Sequence, residues 1–281
     1  MQVSRPKVAV VGHVEWVQFA RVPHVPCAGE VIHAHDAFEE PAGGGGVAAV
    51  QLARLAGEAV LVTALGNDDL GDRSTERLSE LGVHVRAARR AEGTRRASTL
   101  VDDAGERTII TLGPRLEPKG DDEDLPWVQL GGMDAVYFTA GDVDALRAAR
   151  AARVLVASPR AGEALVHGVE LDALVLSGED AIERGQAERA QVQAELVVFT
   201  EGGRGGVYRE RSGGSGTWTA AQLPATPADS YGCGDSFAAG LTYGLAAGMG
   251  VPAALALAAR CGAVCLTGHG PYERQLSGEE I

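Results

Sequence analysis

The chain has 281 residues, with 25 Lys plus Arg against 38 Asp plus Glu and a formal charge of −13, which argues against a nucleic-acid partner. With 45% hydrophobic and 22% charged residues it is neither disordered nor fibrous, and its length suits one large α/β domain or two small ones. No apolar run approaches the roughly 18 residues that span a bilayer. The expectation is a soluble, cytoplasmic protein with no membrane partner.

In chain order, short apolar runs rich in β-branched residues alternate with Ala/Leu-rich amphipathic runs. Strands are predicted at Lys7–Val11, Ala59–Ala64, Ala135–Thr139, Val154–Ala157, Ala173–Leu176 and Leu196–Thr200. Helices are predicted at Val47–Ala56, Leu70–Leu81, Val143–Ala151, Ala181–Ala190, Asp235–Ala247 and Pro252–Leu266. Such alternation implies right-handed βαβ units, a mostly parallel sheet and helices on both faces, with ligands beyond the carboxyl ends of the strands. Two stretches break the rule. Glu30–Glu39 and Thr94–Thr111 alternate in period two, the second around Asp103, Ala104 and Gly105, as half-solvated hairpins do. They predict a small β-lid over about 13–40 and 94–113, serving to exclude water, to form a dimer face, or neither.

Cys27, Cys233, Cys261 and Cys265 are too few and too irregularly spaced for a disulfide framework. Cys261 and Cys265 share a helix face and read as buried small apolar residues. The 38 glycines are the outlying number, and their clustering points to loops built for close backbone approach.

Three clusters carry the chemistry. In Asp229–Gly240, Gly232, Cys233 and Gly234 lead into a helix beginning near Asp235. Consecutive N–H groups at a helix start form an anion hole, where the macrodipole also favours negative charge. With a phosphoryl group there, Asp235 stands within reach of an attacking hydroxyl and can accept its proton; as a plain helix-start carboxylate it would stabilise only its own first turn. Ahead of a second helix, Gly43, Gly44, Gly45 and Gly46 let a polyol approach the backbone, or simply connect lid and helix. After the strand ending at Thr200, the loop with Gly202, Gly203, Gly205 and Gly206 can pass under a nucleotide, with Arg204 available to a phosphate, or turn a hairpin before Val207–Arg209. Neither a Walker A sequence nor an opening dinucleotide fingerprint is present.

Together these segments resemble the ribokinase, or PfkB, family of carbohydrate kinases over nearly the whole chain. Asp229–Gly240 is similar to the family's D-[ST]-x-G-A-G-D-[ST]-F-x-x-G, and Gly43–Leu55 to its G-G-x-x-N-x-A-x-x-L-A-x-L. Leu65–Gly71 is similar to its G-x-D-x-x-G, with Gly105–Ile109 in the lid and Ala258–Gly270 as last helix and loop. The resemblance implies a single ribokinase-like three-layer αβα domain over 1–281 with a β-lid. It implies transfer of the γ-phosphoryl of ATP, with Mg²⁺ and in many members a monovalent cation such as K⁺, to an alcohol group of a sugar or nucleoside-like acceptor. It makes Asp235 the catalytic base and Gly232, Cys233 and Gly234 the anion hole, and puts Gly43 to Gly46 against the acceptor. It places the nucleotide on Thr200, Gly202, Gly205, Ala259 and Gly262, and the monovalent cation near Asp229. A homodimer through the lids is implied as well.

Departures from the family pattern bear on the acceptor. The usual acceptor-binding Asp is Val17, with Glu15 and His13 the nearest polar replacements, and the usual Asn of the N-terminal motif is Gly46. Ribose is therefore a poor fit. The family's N-x-x-E is Ser177–Asp180, leaving Glu179 and Asp180 to attract Mg²⁺ through water. Cys233 stands where Ala is usual, which reads as a tolerated packing change, or as a redox-sensitive position because a thiol at a helix N-terminus can have a lowered pKa. His33 and His35 read as substrate-facing or solvated, and Arg95, Arg96 and Arg107 as anion-binding or as dimer ion pairs. The DDED run at 121–124 reads as a solvated turn or helix start. Two alternatives stay open: a catalytically weak or inactive regulatory protein that binds nucleotide or sugar, and a kinase of a vitamin precursor, for which Trp16, Phe19 and Phe38 would supply an aromatic pocket.

Overall fold

A computed structural model describes residues 5–281. Its centre is β1 (Val8–Val11), four apolar residues buried on both faces, as a central parallel strand requires. Ala9 and Val11 enter one apolar layer and Val8 and Val10 the other. On one side of β1 lies β4 (Ala59–Gly66), followed by β5 (Val83–Arg90), both parallel to their neighbours. On the other lie β8 (Ala135–Phe138), β9 (Val154–Ala157), β10 (Leu171–Ser177) and β11 (Ala194–Thr200), also parallel. Antiparallel β12 (Gly206–Glu210) and β13 (Ser215–Trp218) complete nine strands.

Six α-helices flank this sheet among the described residues: α1 (Gly43–Ala56), α2 (Asp69–Glu80), α3 (Val143–Ala149), α4 (Ala181–Ala190), α5 (Cys233–Ala246) and α6 (Val251–Cys265). None is long and apolar enough to cross a membrane. α1, α5 and α6 fill one apolar layer, and α3 contributes to the other. α5 and α6 cross so closely that a Cβ on Gly240 would come within 2.7 Å of the Cys261 sulfur. Cys261 and Cys265 are buried there as expected, and the cysteines are free thiols.

The lid is a second, four-stranded sheet ordered β3 (Asp36–Ala42), β2 (Glu15–Arg21), β6 (Arg96–Val101), β7 (Arg107–Leu112). The β6–β7 hairpin turns at Asp102–Glu106 as its period predicts, with Asp102 Oδ1 accepting from the amides of Ala104 and Glu106. The Glu30–Glu39 expectation holds only from Asp36 onward; the partner of β3 is β2, which the pattern did not reveal. The lid is pinned by Phe19, whose ring stacks on Phe38 at 4.8 Å and meets Tyr231 edge-on at 4.9 Å.

Candidate active site

The site forms at the carboxyl end of β1, where successive connections leave toward opposite edges of the sheet. Gly12 and His13 follow β1, Thr139 follows β8, and Ser158 and Arg160 follow β9. Helix α1 begins at Gly43 rather than at the expected Val47, so the glycine run is its first turn. Close packing explains the composition: a Cβ on Gly45 would lie 2.7 Å from both Gly12 C and the His13 carbonyl oxygen, whereas the Gly45 amide donates to that oxygen at 3.1 Å. Gly43 has φ +83°, and a Cβ on Gly44 would lie 3.0 Å from Asp235 Oδ1 and 3.3 Å from Thr139 Oγ1. Gly43 and Gly44 thus pack against His13, Asp235 and Thr139, while Gly46 faces Tyr272, Val14 and Leu78 in the interior.

Opposite this turn stands the first turn of α5. Gly232 takes φ +81° as its N-cap and no side chain caps the helix, so its leading N–H groups have no capping acceptor, and a Cβ on Gly234 would meet nothing within 4 Å. Asp235 makes no capping bond; its Oδ1 lies 3.3 Å from an Arg160 nitrogen. Arg160 also binds Glu183 at 3.1 Å, and Asp235 and Glu183 outweigh its partial desolvation to hold the guanidinium firmly charged. Tyr231 ties the two halves together, its hydroxyl accepting from the Gly43 amide at 3.2 Å.

His13 and Glu15 are 7% and 6% exposed, and His13 Nδ1 and Glu15 Oε2 are buried without hydrogen-bond partners. Burial first, then the charges of Arg115, Arg160 and Arg95, push His13 well below the usual imidazole range, so it is neutral at pH 7. Burial raises the Glu15 carboxyl despite the same three arginines. Val17 is wholly buried, and Glu15 is the acidic residue of β2 on this side.

The expected nucleotide side lies across the α5 turn. Thr200 ends β11, and Gly202 (φ +57°) and Gly205 (φ +88°) turn the chain into β12, so a hairpin and an open glycine loop are one structure. Cβ atoms at Gly202 and Gly203 would meet nothing within 4 Å, which leaves that face open. Ala259 is buried in α6, and Gly262 packs beneath the α5 start, where a Cβ would be 3.3 Å from the Cys233 carbonyl oxygen.

Several expectations change in three dimensions. Cys233 is not an activated thiol: its contact with Cys265, together with burial, raises its pKa well above the ordinary value, because a thiolate there would lose both water and a sulfur hydrogen bond. Arg204 is held by Glu179 at 2.6 Å rather than standing free for a phosphate. Asp180 caps α4 by accepting from the Ile182 and Glu183 amides. Among the described residues no three His, Cys, Asp or Glu side chains form a metal-ligand group. Both oxygens of buried Asp229 accept backbone N–H groups, from Tyr231 at 2.8 Å and Gly270 at 2.9 Å, which braces the C-terminal loop. Phe19 is fully buried and Trp16 lies under the Arg73 guanidinium at 4.3 Å, so these rings build the lid rather than an aromatic pocket. His33 and His35 are exposed, Arg107 binds Ser230, and Asp122 of the acidic run grips Arg90 with two 2.6 Å bonds. Thr139, Ser158, Arg115 and Arg160 were missed; the position of the first two just past predicted strands was the available signal.

Residues 5–276 match the pfkB family carbohydrate kinase profile. The chain is 30% identical over 286 aligned residues to a fructokinase of Klebsiella pneumoniae, covering 84% of this chain and 90% of that protein. Its fold superposes on ribokinase of Thermotoga maritima with a TM-score of 0.77 at 20% identity, covering 98% of this chain and 97% of the other. The ribokinase of Arabidopsis thaliana complexed with ribose and ATP gives 0.75 at 19%, with 98% and 97% covered. A parallel sheet with its switch at β1, an antiparallel lid, two glycine turns facing one another and this profile match have one reading: the chain belongs to the pfkB family of carbohydrate kinases.

Proposed function

We propose that Asp235 is the base of an ATP-dependent sugar kinase, taking the proton of an acceptor hydroxyl as its oxygen attacks the γ-phosphorus and the bond to ADP breaks. The observation that carries this is the uncapped first turn of α5, with Asp235 directed at Gly44 instead of at its own backbone. Donors at 232–234 and the Arg160 guanidinium lie where negative charge develops on the phosphoryl oxygens, and preorganised donors of this kind supply much of the rate in phosphoryl transfer. Neutral His13, Glu15 and the Gly43–Gly44 edge seat the acceptor. The open face from Thr200 to Gly205 and the α6 surface near Ala259 and Gly262 seat the nucleotide.

Kinases of this family use ATP, typically with Mg²⁺. The side chains here do not build a protein cage for that ion, since Asp180 caps a helix and Glu179 binds Arg204. Mg²⁺ needs only one or two carboxylates when nucleotide phosphates and water complete its shell, and no step above is routed through it. A K⁺ ion near Asp229 would share oxygens that already accept two amides. A second copy of the chain is the expected partner of the lid, whose outer strand β7 exposes Ile109, Ile110 and Leu112.

Asp235→Asn tests the assignment. ADP release should fall by about 10²–10⁴-fold, the usual contribution of a positioned base, while the ATP-dependent rise in melting temperature stays. Unchanged turnover would remove Asp235 from the mechanism.

A further inference from the structure

Arg95 is the least satisfied cation of the site. Its side chain is 16% exposed and its Nε is buried with no hydrogen-bond partner. Its ion pair is with Glu15 Oε2 at 3.4 Å, and that oxygen also lacks a hydrogen bond. A guanidinium carries five N–H donors, and one ion pair at 3.4 Å without a hydrogen bond leaves most of them for water or a ligand to meet. The position is held from behind: Asp68 accepts from both the amide and the hydroxyl of Thr94 at 2.7 and 2.6 Å, and the Arg95 carbonyl accepts from the Trp16 amide at 2.8 Å. An arginine placed so firmly and satisfied so poorly is built to meet something.

Its surroundings say what. Arg95 pairs with Glu15 at 3.4 Å and Arg160 with Asp235 at 3.3 Å, and the charges of both and of Arg115 reach His13 and Glu15, the proposed acceptor floor. Arg115 is engaged by Glu117 and the Arg160 carbonyl, and Arg160 by Glu183 and Asp235. Arg95 alone of the three has its donors without hydrogen bonds. A neutral sugar hydroxyl needs no such convergence, whereas a carboxylate or phosphate matches the planar fork of an arginine with two bonds.

We propose that the acceptor is anionic, an acid or a phosphate ester of a sugar, and that Arg95 binds the anionic group while a hydroxyl at its other end meets Asp235. The inference rests on the kinase reading for its hydroxyl end and on Arg95 for its anionic end.

The test compares three six-carbon probes with a free primary hydroxyl: D-fructose, D-gluconate and D-fructose 1-phosphate. Each is assayed for ATP-dependent turnover and, without nucleotide, for its shift of the melting temperature, in the wild type, Arg95→Met and Arg95→Lys. We expect kcat/KM for gluconate or fructose 1-phosphate to exceed that for fructose at least 100-fold. Which of the two leads identifies a carboxylate or a phosphate as the group. Arg95→Met should lower that value about 100-fold through KM and abolish the anion's melting shift, with Arg95→Lys in between. Fructose preferred, with Arg95→Met neutral toward both anions, overturns the anionic acceptor while the kinase stands. No turnover on any probe, with an Arg95-dependent melting shift, overturns the kinase and keeps the anion site. Neither turnover nor an Arg95-dependent shift overturns the inference.

Discussion

Glu15 is an acid on a lid strand, 6% exposed, two residues before the wholly buried Val17. Burial raises its carboxyl above the ordinary 4.5, and Arg95, Arg160 and Arg115 offset only part of that shift. A raised folded pKa means that the contribution of Glu15 to stability is fully present below the unfolded value and fades as pH climbs through the folded one. Glu15→Gln cannot ionise. Its stability relative to wild type should therefore improve as pH rises above the unfolded value and level off beyond the folded one, read by urea unfolding at each pH, even as its acceptor KM rises. A difference that is flat with pH would show that the Glu15 carboxyl titrates alike in the folded and unfolded chains. His13 is the complement, a buried imidazole whose pKa is lowered by burial and then by three cations, leaving a neutral ring beside Gly43. The sequence marked both as candidates. It gave no hint that Arg115 and Arg160, far away in the chain, would bear on them.

Among the elements, α2 shows how a motif shared with the family serves position. Asp68 of Gly66–Gly71 caps α2 through the Gly71 amide at 2.9 Å and clamps Thr94 at the start of β6. Burial pushes the Asp68 carboxyl up, yet the hydrogen bonds from Thr94 and Gly71 prevail and hold it below its usual range. Its contribution is thus present above the unfolded pKa and is lost as pH falls through the folded one. Asp68→Ala should cost about 1–2 kcal/mol, the scale of a lost N-cap, and should speed amide exchange over 94–101 more than over the α1 and α5 helices. Uniform exchange would mean the clamp does not hold the lid. The strand β2 escaped sequence reading because Glu15, Trp16 and Val17 are all buried, which breaks the polar–apolar alternation that a half-solvated strand shows. The start of α1 escaped because four glycines are poor helix formers; contact with Gly12 and His13, not propensity, closes that first turn.

At the scale of the whole molecule, the lid leaves β7 as an edge strand with all six residues exposed, including Ile110 at 54%. Long exposed apolar edges invite pairing, and the proposed partner is a second lid. Sedimentation velocity should show a dimer that Ile110→Lys converts to a monomer; a wild-type monomer at micromolar concentration would refute the pairing.

The strand–helix alternation, the two hairpin-like stretches and the glycine-bounded Asp229–Gly240 segment were legible without coordinates, because backbone period and turn chemistry are local properties. They sufficed for the α/β class and the lid, and marked Asp235 as a candidate. What only the tertiary structure decided is which residues face one another: the Gly44 turn opposite Asp235, Arg160 beside it, Cys233 quieted by Cys265, Arg204 and Asp180 occupied by neighbours, and Arg95 left with unmet donors. Charge state, hydrogen-bond satisfaction and steric clearance all depend on groups brought together across the fold. Parallel strands place those groups at one sheet edge from segments as far apart as Gly12 and Asp235, a distance in sequence that no local pattern spans.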